Sequence, residues 1–246
     1  MIQSLERASS ILHLFEHQKY WGISQISEQL GLNKSTTFGL VSTMEKLGLM
    51  EKDEASGKYC LGLELYRLGN LVDANLRQLI LPELSNLVNC LEETINYVRP
   101  DGSDIVYLIK KESPHSMRIC TTIGQRYPMY ATGVGKAILA FLPKEQQEHI
   151  LSHLQFHPYT SNTILHANQL NQELEQIRNK GYALDREELE YGLICVAVPV
   201  FDSTGNPIAA LSCSGPKMRM TEIKIETCIE ELLRSAKCLR ELIVQT

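Results

Sequence analysis

Residues 23–61, ISQISEQLGLNKSTTFGLVSTMEKLGLMEKDEASGKYCL, decide the fold of the first part of this chain. Ile23, Ile26 and Leu30 recur at +3 and +4, so residues 24–30 read as a short amphipathic helix. Gly31 follows at its C-terminal end, where a left-handed backbone costs little. After Gly31-Leu32-Asn33 helical spacing resumes, with Val41, Met44 and Leu47 expected inward, and it stops at Gly48. Two helices joined by a three-residue turn containing glycine make a helix-turn-helix. Residues 49–52 and 58–61 then read as two short strands, and Asp53-Glu54-Ala55-Ser56-Gly57 between them carries turn chemistry. A hairpin directly after the second helix is a wing.

Upstream, Leu5, Ala8, Leu12 and Phe15 mark residues 4–17 as an amphipathic helix with Ser4 as its N-cap. Downstream, Leu65, Leu68, Val72, Leu76 and Leu79 make a helical stripe over 63–80, ended or redirected by Pro82. This linker helix has little local core to bury against, so a second subunit is its expected partner. From residue 82 the pattern turns to mixed helix and strand. Helices are expected over 83–93, 135–141, 144–154, 168–179 and from a Thr221 cap to about 244. Strands are expected over 95–99, 105–110, 117–123, 194–201 and 208–214. Runs of strands with helices on one side imply an α+β domain. The expected organisation is a winged helix-turn-helix over 1–62, a linker helix over 63–81 and an α+β domain over 82–246.

With 43% hydrophobic residues, the 246-residue chain can bury real cores. The opening MIQSLERASS has no basic stretch leading into an apolar run. No segment approaches the ~18 apolar residues of a membrane span, so a cytoplasmic protein without membrane contact is expected. The seven cysteines include no C-x-x-C pair and fit neither a disulfide framework nor a zinc knuckle. Net charge is −5, and residues 1–70 hold seven Lys/Arg against eight Asp/Glu. Any phosphate-binding surface must therefore be local.

A DNA-reading helix offers short hydrogen-bonding side chains and cations at its N-terminal end, where base edges and phosphates meet it. Lys34, Ser35, Thr36, Thr37 and Phe38 stand there, Ser42 lies further along, and Lys58 lies in the wing. Lys34 can neutralise a phosphate; Ser35 and Thr36 can donate to phosphates or bases. An ordinary capped, solvated helix start would carry similar residues, and the wing and preceding helix favour the DNA reading.

The whole chain resembles the IclR family of transcription regulators. In the reader the resemblance rests on SLERASSILHLFE, ISQISEQLGLNKSTTFGLVSTMEKLGLMEKD and GKYCLGLELYRLG. Further on it rests on PELSNLVNCLEET, IGQRYPMYATGVGKAILAFLP and IRNKGYALDREELEYGLICVAVPVFDSTGNPIAALSCSGP. The resemblance implies a GAF/profilin-like effector-binding domain, a palindromic double-stranded DNA operator, and homodimers or homotetramers. It implies a regulator, expected to repress a catabolic operon, that responds to a small organic acid. The residues leave the acid, the operator and the sign of regulation open. By resemblance, Gly133 and Val134 offer backbone N–H groups to a carboxylate, and Asp185, Cys195, Ser212 and Ser214 complete the effector site. Ser212 and Ser214, two apart on one strand, face the same side. These could equally be small inward residues of a packed sheet. The family's helix usually carries an arginine where this chain has Gly39.

Other signals lead nowhere. Gly135-Lys136 lacks the earlier glycine of a phosphate loop, and Ala137 replaces its Ser/Thr. His149 with His153, and His13 with His17, have helical spacing but no third zinc ligand. Cys195 has no nucleophile-elbow or triad signature around it. No metal, cofactor or enzymatic activity is expected.

Overall fold

The computed structural model describes residues 2–72 and 74–244. The chain divides into two compact units, Met1–Ala74 and Asn75–Thr246. The first contains α1 (Gln3–His13), α2 (Ile23–Gln29), α3 (Lys34–Lys46), the hairpin of β1 (Met50–Lys52) and β2 (Tyr59–Leu61), and α4 (Leu63–Leu71). Its core is Ile11, Leu14, Ile26, Val41, Met44, Met50 and Tyr59. Trp21 exchanges two backbone hydrogen bonds of 2.9 Å with Tyr59, adding a short third rung to the wing.

The helix-turn-helix and wing lie where the sequence places them, and Gly31 and Gly48 both adopt positive φ at the helix ends. Four expectations from the sequence are corrected. Leu5 and Leu47 are exposed, at 66% and 62%; Ile11 and Leu14 carry the inward contact of the first segment instead. Helix α1 starts at Gln3 with Ile2 as its N-cap, two residues too early for Ser4 to cap it. The expected single linker helix is two helices, α4 and α5 (Ala74–Leu91), broken by extended backbone at Val72. Asp73, inside the expected span, lies outside the described residues. Pro82 sits within α5 rather than ending it, on an exposed position where water can reach the carbonyl that loses its partner.

The second unit is a six-stranded antiparallel sheet with helices on both faces, not on one side as expected. Its strands are β3 (Thr94–Asp101), β4 (Asp104–Lys111), β5 (Arg126–Pro128), β6 (Ala183–Arg186), β7 (Leu193–Phe201) and β8 (Pro207–Pro216), in the order β5-β4-β3-β8-β7-β6. Alternation assigns the faces. Ile194, Val196, Val198 and Val200 of β7 pack with α5 and α9 (Glu222–Val244). Ala197 and Ala210 pack with α6 (Gly133–Leu139) and α8 (Ala167–Lys180) on the other face. A final helix, α7 (Lys144–His153), has no fully buried residue.

Residues 117–123, expected as a strand, are irregular, and Met117 and Ile123 are exposed. Their alternation mimics a strand, but two carbonyls there bond to side chains rather than to a ladder. Lys110 Nζ donates to Thr121 O at 2.6 Å, and Thr94 Oγ1 to Ile119 O at 3.3 Å. The third strand is instead the short β5. Strand β6, ALDR, escaped the sequence reading because four residues without a β-branched side chain give no signal.

Close packing at the start of α6 yields a test. A Cβ on Gly135 would lie 2.3 Å from Met129 Cα and 2.4 Å from Met129 O, both backbone atoms. Gly135→Ala should destabilise the second unit by about 1–3 kcal/mol or more, read as a lowered denaturant midpoint. An unchanged midpoint would show that this turn relaxes freely.

Candidate nucleic-acid interface and ligand cavity

The start of α3 is organised by Asn33. Its Oδ1 accepts from Thr36 N at 2.8 Å and from Ser35 Oγ at 2.9 Å. Lys34, Ser35 and Phe38 are exposed, Phe38 at 58%, while Thr36 and Ser42 are half-buried. Lys34, Phe38 and Ser42 follow one another at i, i+4 and i+8, so they share a face. Thr37 is the exception among the candidate DNA contacts. It is fully buried, and its hydroxyl donates to Asn33 O at 3.1 Å, so it belongs to the core. The cause is helical period: Thr37, Val41 and Met44 form the inward stripe. Lys58 is half-buried at the foot of the wing, next to Gly57, whose φ of +66° closes the turn. Gly39 is exposed, and a Cβ there would meet nothing within 4 Å. On α3 the candidates offer one cation, three hydroxyls and an aromatic ring, fit for phosphate, base-edge and thymine-methyl contact.

In the second unit, Gly133, Val134, Asp185, Cys195, Ser212 and Ser214 all line one cavity of about 40 Å³. Strand register explains how residues so distant in sequence meet. Thr94 pairs with Ser214, Ser214 with Cys195, and Cys195 with Asp185, giving one lateral row across four strands. Asn96 and Ser212 form the neighbouring pair. The first two N–H groups of α6, from Gly133 and Val134, have no intrahelical acceptor. Thr132 Oγ1 accepts from Gly135 N at 3.1 Å, which caps the third.

Asn96, absent from the sequence candidates, ties the cavity together. It is fully buried; its Nδ2 donates to Ser212 Oγ at 3.2 Å and Ser214 Oγ at 3.4 Å, and its Oδ1 accepts from Thr121 Oγ1 at 2.7 Å. A signal existed: Asn96 is the polar member of the run TINYV, two residues from Thr94 on the same face. Ile119, Cys120 and Thr121 roof the cavity. Residues 112–124 are thus a cover, pinned from below by Asn96, Thr94 and Lys110.

The floor holds unusual charge. Asp185 is 1% exposed, and its Oδ1 accepts from Glu188 N at 2.7 Å. Burial pushes its carboxyl up to about 7, and the neighbouring Glu188 carboxylate adds to the push. Lys136 is fully buried, with Nζ 2.6 Å from Glu188 Oε1 and 3.5 Å from Glu173 Oε1. It is a structural ion-pair lysine, not a phosphate ligand. Burial raises the Cys195 thiol well above its ordinary value, and Asp185 reinforces this. Cys195 is a neutral thiol there, unsuited to nucleophilic attack. Among the described residues no group of three or more His, Cys, Asp or Glu is placed to hold a metal. No described helix is long and apolar enough to cross a membrane.

Residues 4–54 match the model of the IclR helix-turn-helix domain, and residues 69–240 match that of the bacterial transcriptional regulator IclR C-terminal domain. The chain belongs to the IclR family of transcription regulators. It is 33% identical over 238 residues to the HTH-type transcriptional regulator KdgR of Escherichia coli strain K12, covering 96% of this chain and 90% of that protein. It is 33% identical over 241 residues to the transcriptional repressor IclR of the same strain, covering 96% and 88%. The crystal structure of the Thermotoga maritima IclR superposes with a TM-score of 0.79 at 31% identity, covering 99% of this chain and 100% of that one. An IclR homologue from Microbacterium hydrocarbonoxydans, crystallised in complex with 4-hydroxybenzoate, shares the fold with a TM-score of 0.85 at 24% identity, covering 97% and 98%.

As an IclR-family helix-turn-helix protein the chain binds DNA, and the family comprises regulators rather than enzymes. Gly39 is then a notable vacancy on the reading helix. Gly39→Arg should tighten DNA binding and steepen the dependence of log affinity on log salt by about 0.9 for each arginine that reaches a phosphate. An unchanged slope in a salt series would place residue 39 away from the backbone.

Asp185 generates a pH prediction. Its folded pKa of about 7 lies above the ordinary 3.8. Between those values the unfolded chain releases this proton while the folded chain keeps it. Its stabilising contribution is therefore full at low pH and is lost as pH rises from about 4 to about 7. Asp185→Asn should flatten the stability curve across that window, measured by denaturant unfolding at each pH. Parallel curves would show that the carboxyl ionises without cost.

Proposed function

We propose that this IclR-family chain is a repressor, bound to a palindromic operator as a homodimer or homotetramer, that a small organic acid controls. The observation that carries the ligand reading is the cavity at the start of α6. There two helix N–H groups, a row of small polar side chains and a buried carboxyl converge under a pinned cover. The N–H groups of Gly133 and Val134 suit a carboxylate. Ser212 and Ser214 suit a keto or hydroxyl oxygen, and a protonated Asp185 can donate where an ionised one would repel an acid. The fold's occupancy by 4-hydroxybenzoate in the Microbacterium protein supports the ligand class.

At about 40 Å³ the cavity has room for water and little else. Small-molecule sites hold roughly 300 Å³ or more. Binding therefore requires residues 112–124 to move, and the Thr121–Asn96 bond is the first to break, because Asn96 also serves both serines. Allosteric control needs a ligand that favours one arrangement over another, typically by ~1–3 kcal/mol. The closed cover and one displaced by ligand would be those two arrangements. The name of the IclR relative supports repression. Pairing is supported by α4, which buries none of its residues and exposes Leu63, Tyr66 and Leu71 at 65–73%.

The test is binding to the chain's own upstream DNA across a salt series, with and without a panel of small carboxylic acids. One acid should shift the operator affinity. Ser212→Ala should weaken that acid by about three- to tenfold, the roughly 0.5–1.5 kcal/mol of one hydrogen bond to a neutral oxygen, and leave ligand-free DNA affinity intact. Ser35→Ala with Thr36→Ala should do the reverse. Salt-dependent DNA binding indifferent to every acid would remove the ligand-sensing role and leave an architectural one.

A further inference from the structure

The second unit has another concavity, of about 380 Å³, that shares no residue with the cavity described above. Its floor is aromatic. Phe141 and Phe201 meet edge to face, with centroids 5.2 Å apart and planes at 84°. Its rim is cationic. Arg178 and Lys180 come from the end of α8, and Lys237 and Arg240 from α9. No carboxylate lines it. Four cations around one apolar hollow is a marked local excess in a chain of net charge −5.

None of the four makes an ion pair among the described residues. Arg178 Nη1 donates to Ala140 O at 3.2 Å, and Arg240 Nε to Asp202 O at 3.1 Å; both acceptors are backbone carbonyls. These bonds fix each guanidinium through one nitrogen and leave the remaining donors of the fork available. The Asp202 carboxylate does not neutralise the rim. It accepts from Thr204 N, Thr204 Oγ1 and Asn206 N at 2.8–2.9 Å, closing its own turn. Arg178 and Lys180 also complement the C-terminal dipole of α8. That account does not extend to Lys237 and Arg240, because α9 has no basic residue in its last turn.

We propose that this groove is a second small-molecule site, for an amphipathic carboxylate whose apolar body lies on Phe141 and Phe201 and whose anionic head meets the cationic rim. The volume falls within the roughly 300–1,000 Å³ of small-molecule sites. An aromatic floor with an unpaired cationic edge matches one apolar body bearing one negative charge. A purely inorganic anion would leave the floor wet, and a neutral lipid would leave the cations unmet. The site also has a physical connection to the first cavity. Helix α6 starts at Gly133 in that cavity and is followed two residues after its end by Phe141 in the groove. Strand β7 likewise runs from Cys195 to Phe201, roughly 20 Å at the rise of a strand.

The proposal is independent of the operator and of the acid that fills the first cavity. Its test is calorimetric titration of the full chain with decanoate, below its micelle concentration. Decanoate should bind at one site per chain, and acetate, which has the charge without the body, should not. Lys180→Glu with Lys237→Glu changes two exposed side chains and should weaken decanoate by about tenfold or more, the scale of losing charged partners. Ser212→Ala should leave decanoate binding unchanged. Loss of binding in Ser212→Ala but not in the charge-reversed variant would place decanoate in the first cavity and overturn the proposal. So would absence of binding in the unaltered chain. A fall in oligomeric mass on charge reversal, seen by sedimentation, would show instead that a second copy covers the groove.

Discussion

A sheet covered on both faces leaves no water for the polar groups set within it, and the second unit is arranged around that constraint. Every residue of β7 from Leu193 to Val200 is buried. Strands β3, β6 and β8 of the same sheet nevertheless carry Thr94, Asn96, Asp185, Ser212 and Ser214, all buried. Each unpaired polar group there would cost on the order of 1–3 kcal/mol. The structure meets the demand by gathering them into adjacent rows and roofing them with residues 112–124, whose Thr121 hydroxyl and carbonyls complete the bonds. The cavity and its cover are consequences of the same requirement. In the proposed function, a ligand with its own oxygens would take over the bonds that the cover supplies, which would link occupancy and cover position through Asn96.

Charge obeys the same rule one layer deeper. Lys136 is a fully buried cation and stays so because Glu188 and Glu173 reach it. Glu188 in turn donates its backbone N–H to Asp185. The carboxyl that faces the cavity is thus oriented by a chain of contacts that ends at a lysine on α6, the same helix whose first N–H groups face the cavity. Removing Lys136 would strand the Glu188 charge, and removing Glu188 would leave Lys136 only the longer contact to Glu173. Such a cluster holds its shape, as the proposed ligand site would require.

The first unit solves a smaller problem with fewer parts. Asn33 holds the start of the reading helix through its side-chain oxygen, and Gly31 before it makes the turn possible. Its surface presents Lys34, Ser35 and Phe38 outward while Thr37, one residue away from Phe38, is core. Affinity from a near-neutral surface must come from few, well-placed contacts.

Local chemistry in the sequence was enough for the helix-turn-helix, the wing and most helices of the second unit, because periodicity and glycine positions act within a few residues. The six candidate cavity residues came only through resemblance; no spacing in the chain puts Asp185 beside Ser214. The failures were tertiary in origin. Leu5 and Leu47 have helical spacing but face solvent, since the period defines a stripe and not which side of it meets a partner. Residues 117–123 alternate like a strand, yet side chains from β3 and β4 claim their carbonyls. Pro82 stands inside a helix because its exposed side leaves the lost bond to water. The partners of Asn96 and of Lys136 were invisible because they lie 116, 25 and 52 residues away in sequence. The sequence by itself determined most of the elements and the family; strand register and burial, which join residues far apart in the chain, decided what meets in the cavity.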